Sequence, residues 1–509
     1  MPQLSRHTTI ARCLRAALAS MCIAAAGCGD STRVGLTARL PDNSPAPTPS
    51  YEHIRSAQVS APVGDAGVKL TRPVIAVGFD LAPFGYIEEE FFVSGEAATV
   101  AGSALAPYTT RILVRRPSAM ADFNGTVLQE WFNVSLQHEV DVDWISHVNE
   151  LLRGGYAYVG VSAQEPPQPL TSFDPVRYSA MNHPGDDYAE DIFTQVAKLL
   201  KMPAAGNPVG AAGARYVIAT GMSQSADRLH NYLKAQDLLT RVFDGYLIDR
   251  GVAEVGGIPF EANARVPTIF TLGEFEAASD QHNHNDKVRV WHVAGGSHVE
   301  NWLDSYDLHN QLRDETGVDA GDWDPIFNGR WGEDGDGNGE CGLLADAGGA
   351  NMFPRRYVHD TALHYLNRWM RTGQPAPEVP FLQFHAGTNT GVPLDMSPDL
   401  VSRDGFGNAL GGFRLPQIEV PVARYEGERC AGLGLSGSTQ SFDDAQLFEL
   451  YPTFGDYRLK MAAASVALQQ QGLLMPYDCI DIAERVQRAS ARWPADQQGD
   501  TGAGPFACR

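Results

Sequence analysis

The sequence predicts an α/β fold, a mostly parallel central sheet covered by helices on both faces, and three observations carry that prediction. Between residues 110 and 293, short β-rich runs alternate with segments of helical periodicity, the pattern of a sheet whose crossovers are helices. One run, Ala157-Tyr158-Val159-Gly160-Val161, is apolar nearly throughout, as a strand buried on both faces must be. The chain has 509 residues, 43% hydrophobic and 20% charged, enough for one large core.

The elements follow in order. Tyr86 to Val93 and Thr110 to Val114 are expected as antiparallel strands at the sheet edge, and Thr126 to Phe132 as the next strand. Ile192, Phe193, Val196, Leu199 and Leu200 fall at helical spacing within 188–201. Tyr216 to Ala219 reads as a strand and 223–236 as a helix; Val242 to Ile248, Pro267 to Leu272 and Val288 to Val293 read as further strands. A helix over 357–371 carries Val358, Leu363, Leu366, Trp369 and Met370 on one face and stops at Gly373 and Pro375. Residues 67–373 form the expected core. Within it, 299–356 has weak periodicity and many Gly and Asp, and is expected as a lid-like insertion. Residues 374–509 are expected as an extension packed on the core, with one helix near 456–471. There is no internal repeat.

Ahead of the core, residues 1–28 read as an export signal. Arg6, Arg12 and Arg15 precede an apolar stretch from Ala16 to Ala26 that is too short to span a bilayer. Ala25-Ala26-Gly27-Cys28 resembles a bacterial lipobox, which implies lipid on Cys28 and anchoring to a bacterial membrane; the alternative is an ordinary cleaved signal with Cys28 incidental. Residues 29–66, Pro-rich over 42–50, are expected as a flexible tether. Downstream of Cys28 stand Cys341, Cys430, Cys479 and Cys508, an even set that suggests two disulfides in an oxidising compartment. Spacing leaves three pairings open; Cys341–Cys430 and Cys479–Cys508 is the expected one, because the second pair ties down a terminus that would otherwise fray. No CxxC pair exists, which argues against structural zinc. A net charge of −22 argues against nucleic-acid binding, which needs clustered Lys and Arg.

The chemistry centres on Gly221-Met222-Ser223-Gln224-Ser225. Ser223 lies between an expected strand and an expected helix, where a sharp turn lifts a nucleophilic hydroxyl above the sheet edge. A Ser after a strand is also a common helix N-cap, so the string alone is weak. Downstream order strengthens it. The strand at 267–272 is followed by Gly273-Glu274-Phe275-Glu276, and the strand at 288–293 by Ala294-Gly295-Gly296-Ser297-His298. Nucleophile, acid and base in that order suit a Ser–carboxylate–His triad, with His298 as base. Glu276 is the expected acid from its spacing after Gly273. Glu274 is the rival, because alternation in an extended segment would put it on the same side; Asp249 and Asp280 are further candidates. The Gln224 N–H is an expected oxyanion donor, and the second is expected from Asn133 or Val134, after the strand ending at Trp131 and Phe132.

Several runs together carry a family resemblance: Tyr86 to Gly95, Glu130-Trp131-Phe132-Asn133-Val134-Ser135, His183-Pro184-Gly185-Asp186 with Asp191-Ile192-Phe193, Gly221 to Ser225, and Ala294 to His298. From about residue 68 to the C-terminus the chain resembles bacterial α/β-hydrolase-domain proteins of unassigned substrate. The resemblance implies the serine-hydrolase fold and a triad. One departure is Glu274-x-Glu276, where the family often has Glu-x-Asp.

The expected activity is hydrolysis of a small-molecule carboxylic ester through an acyl-enzyme on Ser223, with no cofactor. An amidase, peptidase or lactonase on the same triad is one alternative; a non-catalytic surface lipoprotein is another. Asp334-Gly335-Asp336-Gly337-Asn338-Gly339-Glu340 has the oxygen-rich alternation that suits calcium, but the EF-hand position for a closing Glu holds Ala345, so a solvated loop is expected. His282 and His284, near Asp280 and Asp286, are likewise expected as solvated loop.

Overall fold

A computed structural model describes residues 51–251, 264–317, 351–385, 400–427, 435–499 and 506–508. Nine strands form one sheet: β1 (Gln58–Val59), β2 (Tyr86–Ala98), β3 (Leu105–Pro117), β4 (Thr126–Trp131), β5 (Ala157–Val161), β6 (Tyr216–Met222), β7 (Gly245–Asp249), β8 (Thr268–Leu272) and β9 (Val288–His292), in the order β1-β2-β3-β5-β4-β6-β7-β8-β9. The ladder from β5 through β4 to β9 is parallel, and β1, β2 and β3 add antiparallel at one side. The edge pair is longer than expected because Ser94-Gly95-Glu96-Ala97-Ala98, a poor strand former by composition, is carried by its pairing with Leu105 to Thr109.

Helices cover both faces. α1 (Val142–Gly154) and α5 (Arg356–Thr372) pack together on one; α2 (Ala189–Lys201) and α3 (Gln224–Ala235) lie on the other. Successive residues of β4 show the division. Gln129 Nε2 donates to Phe193 O of α2 and the Trp131 ring meets Phe193, whereas Glu130 between them accepts from the Asp143 and Trp144 N–H groups at the start of α1. α1 was not anticipated from the sequence. Its apolar residues Trp144, Ile145, Val148, Leu151 and Leu152 do fall at helical spacing, and the polar residues Asp143, Ser146, His147, Asn149 and Glu150 are buried along with them.

The loop from β4 to α1 carries the oxyanion candidates, and β3 holds it. Arg111 and Arg115, both fully buried, pair with Glu139 and Asp141 of that loop and with Glu90 (3.0 Å) and Glu88 (2.7 Å) of β2.

The described residues bear on three expectations about organisation. The expected tether is packed from Tyr51 onward. Tyr51 and Ile54 are buried, Lys201 Nζ donates to Tyr51 Oη (2.9 Å), and β1 pairs with β2. Two isolated apolar residues in a Pro-rich stretch leave no period to read. In the 299–356 segment, α4 (Asn301–Thr316) buries Trp302, Leu303 and Tyr306 but inverts the pattern further along: Leu308 and Leu312 are exposed, while Asp307, Asn310, Arg313 and Asp314 are buried. Its inward charges dock it on the core, with Arg313 donating to Ala76 O (2.8 Å) and Asp314 accepting from Ile75 N–H (2.7 Å). Among its described residues the C-terminal extension has two long helices rather than one, α6 (Phe454–Gln470) and α7 (Pro476–Arg488).

That extension packs beside the last strand, Phe413 N–H donating to His292 O (2.6 Å). A disulfide joins Cys479 of α7 to Cys508. Cys28, Cys341, Cys430 and the loop with Asp334, Asp336, Asn338 and Glu340 lie outside the described residues. Among the described residues, no helix is long and apolar enough to cross a membrane, and no group of three or more His, Cys, Asp or Glu is arranged to hold a metal ion.

Candidate active site

Ser223 is the single residue between β6 and α3, at φ 57° and ψ −121°. A side-chain-bearing residue in that region is strained, and the neighbouring structure must impose it. Gly221 sits in close contact: a Cβ there would lie 3.0 Å from the Ser225 carbonyl carbon and oxygen, so the turn would have to give to admit it. Ser225 occupies the second small-residue position and uses its hydroxyl. It accepts from Met222 N–H (3.0 Å) and donates to Met222 O (2.9 Å), which staples the turn. Ser223 N–H donates to Asp249 O (3.0 Å) at the end of β7.

The turn after β9 brings His298 to Ser223, with Nε2 2.9 Å from Oγ. His298 Nδ1 faces Glu276 Oε1. A carboxylate only accepts, so Nδ1 carries the proton and Nε2 is left as acceptor for the serine hydroxyl. The other oxygen, Glu276 Oε2, accepts from Gly273 N–H (2.7 Å). Burial would push the Glu276 carboxyl up, but His298, Arg355 and Arg250 outweigh it and hold the group below the ordinary carboxylate range.

The other acids are turned elsewhere. Glu274 to Ala277 is a turn of helix, so residues two apart point about 200° away from each other and the alternation argument for Glu274 fails. Glu274 accepts from Gly295 N–H (2.7 Å) and Gly427 N–H (3.0 Å) and pairs with Arg403 (2.9 Å), bracing the turn that carries His298 against the extension. Asp249 accepts from Thr271 Oγ1 (2.7 Å) and Arg250 Nε (2.8 Å). Asp280 bridges His282 Nδ1 (2.5 Å) and His292 Nε2 (2.9 Å); His282 is thus buried and bonded rather than solvated, and His284 Nε2 donates to Val379 O (3.0 Å).

Two buried arginines, unmarked in the sequence, clamp the His298 turn. Arg250 Nη1 donates to His298 O (2.9 Å) and to Glu300 Oε2 (2.9 Å). Arg355 Nη1 donates to Ser297 O (2.7 Å) and its Nη2 to Thr271 O (2.9 Å). Asp249 touches both guanidinium groups, at 2.6 and 3.3 Å. The only local signal is a charged pair, Asp249-Arg250, at the end of an apolar strand.

Of the oxyanion candidates, Asn133 has its backbone N–H and one side-chain N–H engaged within the protein. Its backbone N–H donates to Val140 O (3.2 Å), and its side-chain Nδ2 donates to Met222 O (2.8 Å). Asn133 therefore ties the loop to the turn at Ser223. Gln224 heads α3, where first-turn N–H groups have no partner within the helix, and Val134 follows Asn133 directly.

A comparison with curated proteins found no match. Among solved structures, the chain is similar to the esterase Est22 at 12% identity and TM-score 0.25, covering 38% of this chain and 66% of that one, just under two thirds. It is similar to XC6422 of Xanthomonas campestris, described as an α/β serine hydrolase without a lid, at 13% identity and TM-score 0.26, covering 44% and 92%. The Pyrococcus furiosus esterase Pf2001 matches at 13% identity and TM-score 0.27, covering 45% and 88%. The model of one family, described as an alpha/beta hydrolase domain, matches residues 57–484, and the chain belongs to that family.

Proposed function

We propose that the protein is a serine hydrolase cleaving small-molecule carboxylic esters through an acyl-enzyme on Ser223. The observation that supports this reading is the continuous chain of hydrogen bonds from Ser223 Oγ through His298 to Glu276. His298 Nε2 takes the hydroxyl proton as Oγ adds to the ester carbonyl, and the oxyanion lies against the Gln224 and Val134 N–H groups. Collapse expels the alkoxide, which leaves with the proton from Nε2. Water then attacks the acyl-enzyme by the same route, releasing the acid and restoring Ser223. Glu276, ionised throughout, holds the imidazole tautomer and stabilises the imidazolium.

A fluorophosphonate probe is expected to label the protein, and Ser223→Ala is expected to abolish both labelling and ester turnover while far-UV circular dichroism stays unchanged. Undiminished labelling of Ser223→Ala would overturn the assignment. Turnover of an amide or lactone in preference to simple esters redirects the substrate class but keeps the residues. Export and lipid anchoring at Cys28 belong to the same proposal. The mass of the mature N-terminus is expected to show a diacylated or triacylated Cys28, and an unmodified N-terminus at another residue rules the anchor out.

A further inference from the structure

The nucleophile turn is tied to the exits of β4 and β5 by hydrogen bonds that the reaction steps above do not use. Gln164, buried just past β5, accepts at Oε1 from the Trp131 indole N–H (2.9 Å) and from Gln224 Nε2 (2.8 Å). Its own Nε2 donates to Asp186 Oδ2 (2.7 Å). The polarity of this relay has one solution. An indole N–H only donates and a carboxylate only accepts, so the Gln164 amide has a single orientation, and that orientation draws Gln224 Nε2 towards it. Arg228, one turn along α3 from Gln224, donates to the same Asp186 oxygen (3.1 Å), closing the relay back onto the helix. Asn133 supplies a second tie, to Met222 O (2.8 Å). The loop carrying Val134 and the helix start carrying Gln224 are thus joined on both sides of Ser223.

We propose that Gln164 is a positioning residue: by holding the Gln224 side chain it fixes the Gln224 main-chain N–H relative to that of Val134, and so sets the geometry in which the oxyanion is bound. This rests on the acyl-enzyme reading above. Oxyanion donors act because they are pre-organised, and misplacement by about 1 Å can cost a hundredfold in rate. The strained Ser223 backbone gives its neighbour a reason to relax once the tie is cut. Trp131 and Asp186, both in the runs singled out from the sequence, acquire a role as the two ends that orient Gln164.

The test uses the full chain with p-nitrophenyl acetate and a fluorophosphonate probe, comparing wild type, Gln164→Leu and Gln164→Glu, with melting temperature as the folding check. Gln164→Leu is expected to lower kcat by roughly ten- to hundredfold with KM within about twofold, and to slow probe labelling in parallel. Gln164→Glu is the sharper variant. Its protonated carboxyl can accept from Trp131 and Gln224 and donate to Asp186 as the amide does, and the adjacent Asp186 raises its pKa. The ratio of variant to wild-type kcat is expected to approach one at acid pH and to fall as pH rises, because the ionised carboxylate loses its bond to Asp186, is repelled by it and is drawn out of the position from which it holds Gln224. If Gln164→Leu does not fold, this ratio decides. A folded Gln164→Leu with kcat within twofold of wild type, a loss confined to KM, or a pH-independent ratio for Gln164→Glu overturns the proposal. Failure of the wild type to label overturns the acyl-enzyme reading and this inference together, an outcome distinct from the others.

Discussion

Glu276→Gln is expected to lower kcat by roughly a thousand- to ten-thousandfold with the fold retained, the magnitude seen when an imidazole loses its orienting carboxylate. Both Glu276 oxygens act as acceptors, one from His298 Nδ1–H and one from Gly273 N–H. A glutamine has a single acceptor oxygen. If it serves Gly273, its NH2 faces Nδ1 and drives the ring proton to Nε2, where Ser223 needs an acceptor. If it serves His298, the NH2 opposes Gly273 N–H and the loop must move. Glu274→Gln is the control. It weakens contacts to Gly295, Gly427 and Arg403 and is expected to cost stability with a far smaller loss of turnover. Steady-state kinetics on both variants decide, and near-full activity in Glu276→Gln with a collapse in Glu274→Gln contradicts the assignment. The pH dependence has a definite sign. Glu276 is held below the ordinary carboxylate range, so its contribution to stability is fully present above the unfolded pKa of about 4.3 and is lost as pH falls through the lower folded value. Acid unfolding of Glu276→Gln should lack that component.

Arg250→Met is expected to destabilise the protein by about 3–5 kcal/mol, read as a lower urea midpoint at unchanged m-value. Arg250 is fully buried and its guanidinium meets Asp249 (2.6 Å), Glu300 (2.9 Å), the His298 carbonyl (2.9 Å) and Ser146 Oγ (3.2 Å). Methionine fills most of the volume and satisfies none of these. Burial already pushes the Glu300 carboxyl up against the pull of Arg250 and Arg355, so removing Arg250 favours its protonation. Turnover should fall as well, because the carbonyl of His298 loses its donor. A midpoint shift equivalent to less than about 0.5 kcal/mol would show that the cluster tolerates loss of its central cation, against the usual penalty for stranding a buried charge.

How far the sequence could be read depended on whether the decisive interaction was local. The strand–helix alternation from Thr126 to Val293 was legible because apolar β-rich runs and helical periods are properties of consecutive residues. The turn at Ser223 was legible for the same reason, since Gly221 and Ser225 shape it by direct contact within five residues. α4 was not, because its buried face carries Asp, Asn and Arg whose partners lie elsewhere in the chain, whereas the stripe Trp144, Ile145, Val148, Leu151 and Leu152 of α1 is itself a local signal. Tyr51 and Ile54 gave no warning that the chain packs before residue 66.

By itself, then, the sequence determined the order of elements, the strained turn at Ser223, and the position of His298 after the last parallel strand, all consequences of steric and periodic rules acting over a few residues. Tertiary structure decided which carboxylate meets His298, joined Asn133 to Met222 O, and assembled Arg250, Arg355 and Gln164 around the site. Glu274 and Glu276 differ by two positions, and local pattern favours neither strongly. What separates them is a single turn of helix and the direction from which His298, 22 residues away, arrives. Buried polar groups must find partners, and for these groups the partners are set by the packed fold rather than by neighbours along the chain.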